Sequence, residues 1–222
     1  MWRLGQRGLF QPGRYLLHPM AKPVVFTLAL LPLGWLLWRT LTGQWGANPA
    51  EALLRASGDW SLRLLCLALA VTPLRVVLVL PALARFRRML GLYAYFYVSL
   101  HALAYVSFDL GWVWLDALAD AARRPFILVG LLAWLVLTAL AATSHTRMVR
   151  LLGQARWKRL HQGVYGVACL ALLHFFWMRA GKNDFAEVWV YAVLIALLLG
   201  WRAWHFLTKS ASRPIRTSAS RY

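Results

Sequence analysis

Acidic residues are scarce in this chain: seven stand against 25 lysines and arginines, for a formal net charge of +18 over 222 residues. Cysteine is scarcer still. Cys66 and Cys169 both fall inside apolar runs with no CxxC and no CxxCH pattern, which argues against a disulfide framework and against covalent c-type haem attachment. No internal repeat and no Gly-rich phosphate loop is found, so a solenoid and a mononucleotide site of the usual kind are also excluded. Charged side chains make up only 14% of the residues and hydrophobic ones 61%, a balance that a soluble domain of this length does not support. The basic excess does not point to nucleic acid, because the lysines and arginines sit between long apolar runs and not along an amphipathic surface.

What is present is a set of six apolar windows, each long enough to cross the hydrocarbon of a bilayer as a helix. They run approximately from Pro23 to Leu41, Trp60 to Leu80, Leu90 to Leu110, Pro125 to Thr143, Leu160 to Met178 and Val188 to Leu207. The expected fold is therefore all-α: a six-helix membrane bundle over 23–207, with a cytoplasmic N-terminal segment over 1–22 and a cytoplasmic tail over 208–222. The first run lacks a small-residue cleavage site and is expected to be retained as a span. About fifteen residues rich in Ser, Arg and Lys follow the last span, so no nicotinamide-binding domain is expected there.

Charge sets the orientation. Arg3, Arg7, Arg14 and Lys22 precede the first span; Arg75, Arg85, Arg87 and Arg88 fill the second connection; Arg147, Arg150, Arg156, Lys158 and Arg159 fill the fourth; Lys209, Arg213, Arg216 and Arg221 lie in the tail. All seven acidic residues, Glu51, Asp59, Asp109, Asp116, Asp120, Asp184 and Glu187, fall in or beside the first, third and fifth connections. The positive-inside rule places both termini in the cytoplasm. Asn48 before Pro49 reads as the cap of a short interfacial helix that Gly58 closes before the second span begins. Trp45, Trp112, Trp114 and Trp189 read as an interfacial aromatic belt.

Three of the six histidines, His101, His161 and His174, lie within spans, where an ionisable or ligating side chain is costly without a partner. Counting 1.5 Å per residue from the inner ends puts His101 about 17 Å and His174 about 21 Å along their helices. At that shared depth two imidazoles facing each other across a bundle form a ready axial pair for a b-type haem held by coordination alone. His161 lies about 20 Å from His174 toward the cytoplasm, a position suited to a second redox centre. A spacing of 13 residues also puts His161 and His174 about 140° apart on an ideal helix, so either a kink realigns them or they address different cofactors. Gly163 and Gly166 would permit close approach of a flat ligand or a neighbouring helix. Simple hydrogen bonding between helices is the alternative role for each histidine. His145, at the cytoplasmic end of the fourth span, is a further candidate ligand, whereas His18 and His205 read as surface residues.

Several stretches together resemble the MsrQ family, formerly YedZ, within the ferric reductase and NADPH oxidase type of membrane domain. They are Gly46-Ala-Asn-Pro-Ala-Glu through Gly58-Asp-Trp-Ser-Leu-Arg63, Thr72-Pro-Leu-Arg75, Arg87-Arg-Met-Leu-Gly-Leu92 leading to His101, and Trp157-Lys-Arg-Leu-His161 through Val164-Tyr165 to His174. The resemblance implies a haem-binding subunit of the bacterial inner membrane, without a catalytic substrate site of its own. Electrons would pass from the quinone pool or a cytoplasmic flavin reductase, through haem b and FMN, to a periplasmic molybdopterin enzyme, MsrP, that reduces methionine sulfoxide in periplasmic proteins. It assigns the haem iron to His101, His161 and His174, and places no residue at the FMN. The wider oxidase pattern has two histidines on each of the third and fifth spans. Here Arg88 stands about where the second histidine of the third span is expected, and its protonated guanidinium has no lone pair for iron. Either His145 supplies the missing ligand, or the inner site binds differently, or one haem rather than two is stably held. A stand-alone ferric reductase and a proton-coupled small transporter are the competing readings, the second weakened by the lack of acidic residues within the spans.

Overall fold

The computed structural model describes residues 12–181 and 183–211, with side chains at 12–14, 114–118 and 209–211 outside the description. Arg3, Arg7, Arg213, Arg216 and Arg221 of the orientation argument therefore lie outside the described residues, as do the side chains of Arg14, Lys209, Trp114 and Asp116. Ten α-helices and one 3₁₀ turn are found among the described residues, with no strand. Six helical segments are long and apolar enough to cross a membrane.

A short helix α1 (Pro12–Leu17) leads into α2 (Ala21–Leu41), the first span. Pro32 sits inside α2 and lacks the N–H that a helix interior needs. The chain repairs the ladder beside it from another helix, α4 (Arg87–Phe108). Tyr97 of α4 accepts from the Leu33 N–H at 2.9 Å and donates to the Ala29 carbonyl at 2.8 Å. Its hydroxyl thus bridges two groups four residues apart that would otherwise face each other as one turn of helix. Tyr93, one turn earlier, donates to the Phe26 carbonyl at 3.0 Å.

The second span is one continuous helix, α3 (Pro49–Val77). Asn48 caps it, accepting from the Glu51 N–H at 3.3 Å, with Pro49 in the first turn, so the expected start is found. The expected closure at Gly58 is not. Gly58 keeps helical backbone, and the helix runs through it for about 43 Å, longer than the roughly 30 Å hydrocarbon thickness. Glycine weakens a helix interior by about 1 kcal/mol but does not end it unless the next residues demand a turn. Here its missing Cβ is occupied by another side chain, described below.

A 3₁₀ turn (Pro81–Phe86) joins α3 to α4, and the two helices pack along most of their length. Between the third and fourth spans the short helix α5 (Trp114–Arg123) lies against α6 (Pro125–Ala142), an element the sequence reading did not separate from its loop. Tyr105 of α4 donates to Asp120 at 2.6 Å, and Arg124 pairs with the same carboxylate at 2.9 Å, tying this loop to the bundle. After α7 (Thr146–Leu152) the fifth span comes in two pieces, α8 (Gln154–His161) and α9 (Gly163–Ala180), interrupted at Gln162. That interruption falls between His161 and His174, where the sequence admits a kink. The last span is α10 (Ala186–Ala211).

The tightest packing is at the centre, where Tyr97, Ala94, Val167 and Ala168 are almost completely buried. Large apolar side chains such as Leu28, Leu67, Val193 and Phe206 face outward, as lipid-facing side chains do. Trp112 and Trp189 are exposed, consistent with a belt. Trp45 departs from that expectation: it turns inward, donates to Thr40 at 3.0 Å and stacks under the Arg39 guanidinium, because an indole on a short loop can satisfy its N–H against the helix it leaves.

Candidate functional site

One end of the bundle carries the acidic connections and the other the basic ones. From the acidic end a cavity of about 810 Å³ runs between α3, α4, α6 and α9 toward the middle of the bundle. Its walls are mainly apolar, with Leu65, Ala94, Leu137 and Val167 at the deep end, and its charged groups gather at the mouth. His101 of α4 and His174 of α9 project into it.

The two imidazoles face each other with centroids 6.2 Å apart and planes 82° from parallel. Each is held through Nδ1 by a backbone carbonyl of a neighbouring helix: His101 by Leu54 of α3 at 3.0 Å, His174 by Phe126 of α6 at 2.7 Å. A carbonyl oxygen only accepts, so Nδ1 carries the hydrogen in both rings. In the neutral imidazole the lone pair then lies on Nε2, and neither Nε2 has a hydrogen-bond partner among the described residues. Ligating histidines are characteristically fixed in this way, with the distal nitrogen donating to a carbonyl.

The same local device holds both rings. Glycine stands four residues after each carbonyl, Gly58 after Leu54 and Gly130 after Phe126, on the same helix face one turn further on. A Cβ at Gly58 would meet His101 Cε1 and Nδ1 at 3.3 Å, and a Cβ at Gly130 would meet the same atoms of His174 at 2.9 Å. The rings reach their carbonyls only because the residue above is glycine. The sequence reading missed both positions, taking Gly58 for a helix terminator and giving Gly130 no role. A glycine inside an otherwise apolar span, where alanine is the better helix former, was the signal available.

His161 is placed differently. Its Nε2 lies 3.2 Å from Thr143 Oγ1, and the ring packs against Trp157 with centroids 4.2 Å apart and planes tilted by 32°. The Thr143 hydroxyl already donates to the Ala139 carbonyl at 2.7 Å, so the imidazole is the donor at Nε2 and keeps its lone pair on Nδ1. The Trp157 indole donates to the Thr143 carbonyl at 2.8 Å, closing a small network at the basic end. His145 is exposed at the start of α7 and makes no ring contact with His161 among the described residues. His18 is exposed and accepts from the Met20 N–H, and His205 stacks on Trp201. Gly163 lies against Val136 and Leu140 of α6, whereas Gly166 faces open space.

Among the described residues no group of three or more His, Cys, Asp or Glu side chains could share a metal ion, so the pair offers two ligands and no more. At the mouth, burial pushes the Asp109 carboxyl up from the usual range; Asp120 adds to this and Arg124 opposes it.

Comparison with known proteins bears on this arrangement. The family model described as "Ferric reductase like transmembrane component" matches residues 57–172, which include His101 and His161. A protein-methionine-sulfoxide reductase heme-binding subunit MsrQ from Polaromonas naphthalenivorans is 57% identical over 206 residues, covering 93% of this chain and 94% of its own length. The chain belongs to the MsrQ family. MsrQ proteins bearing the same description from Bordetella pertussis and Xanthomonas oryzae pv. oryzae are 48% and 40% identical, over 82% and 90% of this chain and 89% and 93% of theirs. No solved structure matches. The six apolar helices and the MsrQ kinship make this a multi-pass membrane protein.

Proposed function

We propose that this chain is the haem-binding membrane subunit of a methionine sulfoxide reductase system, passing electrons across the bacterial inner membrane to a periplasmic, MsrP-like molybdopterin enzyme. The observation that carries the reading is the facing pair His101 and His174, both with Nε2 lone pairs turned into an apolar cavity. That donor set suits an iron whose remaining ligands come from a porphyrin, because only two protein ligands are offered. The cavity volume lies within the roughly 300–1,000 Å³ range of ligand pockets, and its walls would shield a flat apolar ring from water. Haem bound there supplies a one-electron iron couple in the half of the bundle nearest the acidic end.

The chain's own contribution is orientation. Leu54 and Phe126 fix the tautomers, Gly58 and Gly130 make room for the rings, and the helix pairs α3/α4 and α6/α9 hold the spacing. With the acidic end on the periplasmic side, the pair lies toward the partner. His161 belongs to the electron-entry half in this reading; a ligand role for it uses Nδ1 or gives up the bond to Thr143. His145 would have to turn inward to join it. Quinone or a cytoplasmic flavin reductase as donor, and FMN as a second cofactor, rest on the MsrQ resemblance alone.

The test is haem content and the low-spin absorbance of purified protein. His101→Ala and His174→Ala should each abolish the same signal, and the double substitution should lose no more than either one. Full haem content with an unchanged spectrum in both single variants would sink the reading.

A further inference from the structure

We propose that Arg55 anchors a haem propionate at the mouth of the four-helix cavity; the inference rests on the haem reading above. Arg55 lies on α3 one residue past Leu54, whose carbonyl holds His101, and both residues line the cavity. Its guanidinium is tethered at one side only, with one terminal nitrogen 2.6 Å from Glu51 Oε1. Glu51 is itself held by the cap residue, its Oε2 accepting from Asn48 Nδ2 at 3.1 Å. Arg55 Nε is buried and has no hydrogen-bond partner, the one buried side-chain nitrogen or oxygen among the described residues in that state.

The other cations at the mouth are already engaged. Arg124 Nε pairs with Asp120 at 2.9 Å, and Arg179 spans Asp184 at 3.0 Å and Glu187 at 2.6 Å. A buried N–H without an acceptor costs about 1–3 kcal/mol, more when charged, so such a donor signals an acceptor that the protein itself does not provide. A porphyrin held by His101 and His174 is an apolar disc with two carboxylates on one edge. In a cavity that is mainly apolar at depth and charged at its mouth, that edge belongs at the mouth. A guanidinium fork matches a carboxylate better than any other side chain does.

The experiment compares wild-type protein, Arg55→Met and Arg55→Lys, all purified with their haem in nanodiscs. Two quantities are measured: the rate of haem loss to an excess of apomyoglobin, and the propionate bending band in the resonance Raman spectrum. Methionine keeps an apolar stem of similar reach without the charge. The expected result for Arg55→Met is a retained low-spin spectrum, haem loss faster by about tenfold, equivalent to about 1.4 kcal/mol, and a shifted propionate band. Arg55→Lys, which keeps the charge but not the fork, should fall between. Should the methionine variant not fold, the lysine variant carries the test. Loss rate and band both equal to wild type would overturn the proposal and leave Nε to water. Absence of haem from the wild-type protein itself would instead overturn the haem reading, and this proposal with it.

Discussion

At the scale of single residues, the site depends as much on two missing methyl groups as on two imidazoles. Gly130 illustrates the point. Its virtual Cβ lies 2.9 Å from two atoms of the His174 ring, and that ring cannot simply swing aside because its Nδ1 is bonded to Phe126. Alanine elsewhere in a helix is favoured over glycine by about 1 kcal/mol. At 130 the sign should reverse. Gly130→Ala is expected to lower haem content and shift the low-spin spectrum, Gly58→Ala to do so more mildly at its 3.3 Å contact, and Gly166→Ala to leave both unchanged. Absorbance per polypeptide in the three purified variants measures the order; a Gly130→Ala protein with wild-type haem content would show that the ring is not confined as described. The histidines could be read in the sequence because they are chemically conspicuous. The glycines could not, because their role is defined by what stands opposite them on another helix.

At the scale of elements, α2 is completed by α4. Pro32 interrupts the first span, and the Tyr97 hydroxyl stands between the Leu33 N–H and the Ala29 carbonyl. Tyr97 is fully buried, so no water replaces the hydroxyl if it is removed. Tyr97→Phe keeps the ring and leaves a donor and an acceptor unpaired in an apolar setting, at a cost of about 1–3 kcal/mol. The expected outcome is a lower thermal unfolding midpoint in detergent with the haem spectrum unchanged, since α2 does not line the cavity. An unchanged midpoint would mean that α2 straightens and restores the bond within itself. The continuity of α3 belongs to this scale too. Asn48 and Pro49 announce its start in any reading, but whether Gly58 ends a helix depends on the space around it, and that space is filled by His101.

At the scale of the whole molecule, charge and depth combine. The cavity opens at the end that carries Glu51, Asp109 and Glu187, whereas Arg87, Arg147 and Lys158 cluster at the opposite end. If the basic end is cytoplasmic, as the positive-inside rule requires, the histidine pair lies toward the periplasm. A reporter fused after Tyr222 should then behave as cytoplasmic and one inserted at Gly181 as periplasmic; the reverse pattern would turn the proposed direction of electron flow around. A partner accepting electrons should be crosslinked from the acidic end, near Asn48 or Trp112, and not from α7 or α8.

The number of spans, their approximate limits and the charge asymmetry were determined by the sequence alone, because hydrocarbon thickness and the cost of moving cations across it act on each segment independently. The depth match of His101 and His174 was legible for the same reason, since rise per residue is a local constant. Which imidazoles meet was decided only by tertiary structure. Helix rotation and crossing bring His101 and His174 face to face and direct His161 to Thr143 instead, and the carbonyls that fix each tautomer come from helices the histidines do not belong to. A ring's partner across a bundle depends on packing between segments far apart in the chain, and no local pattern encodes that packing.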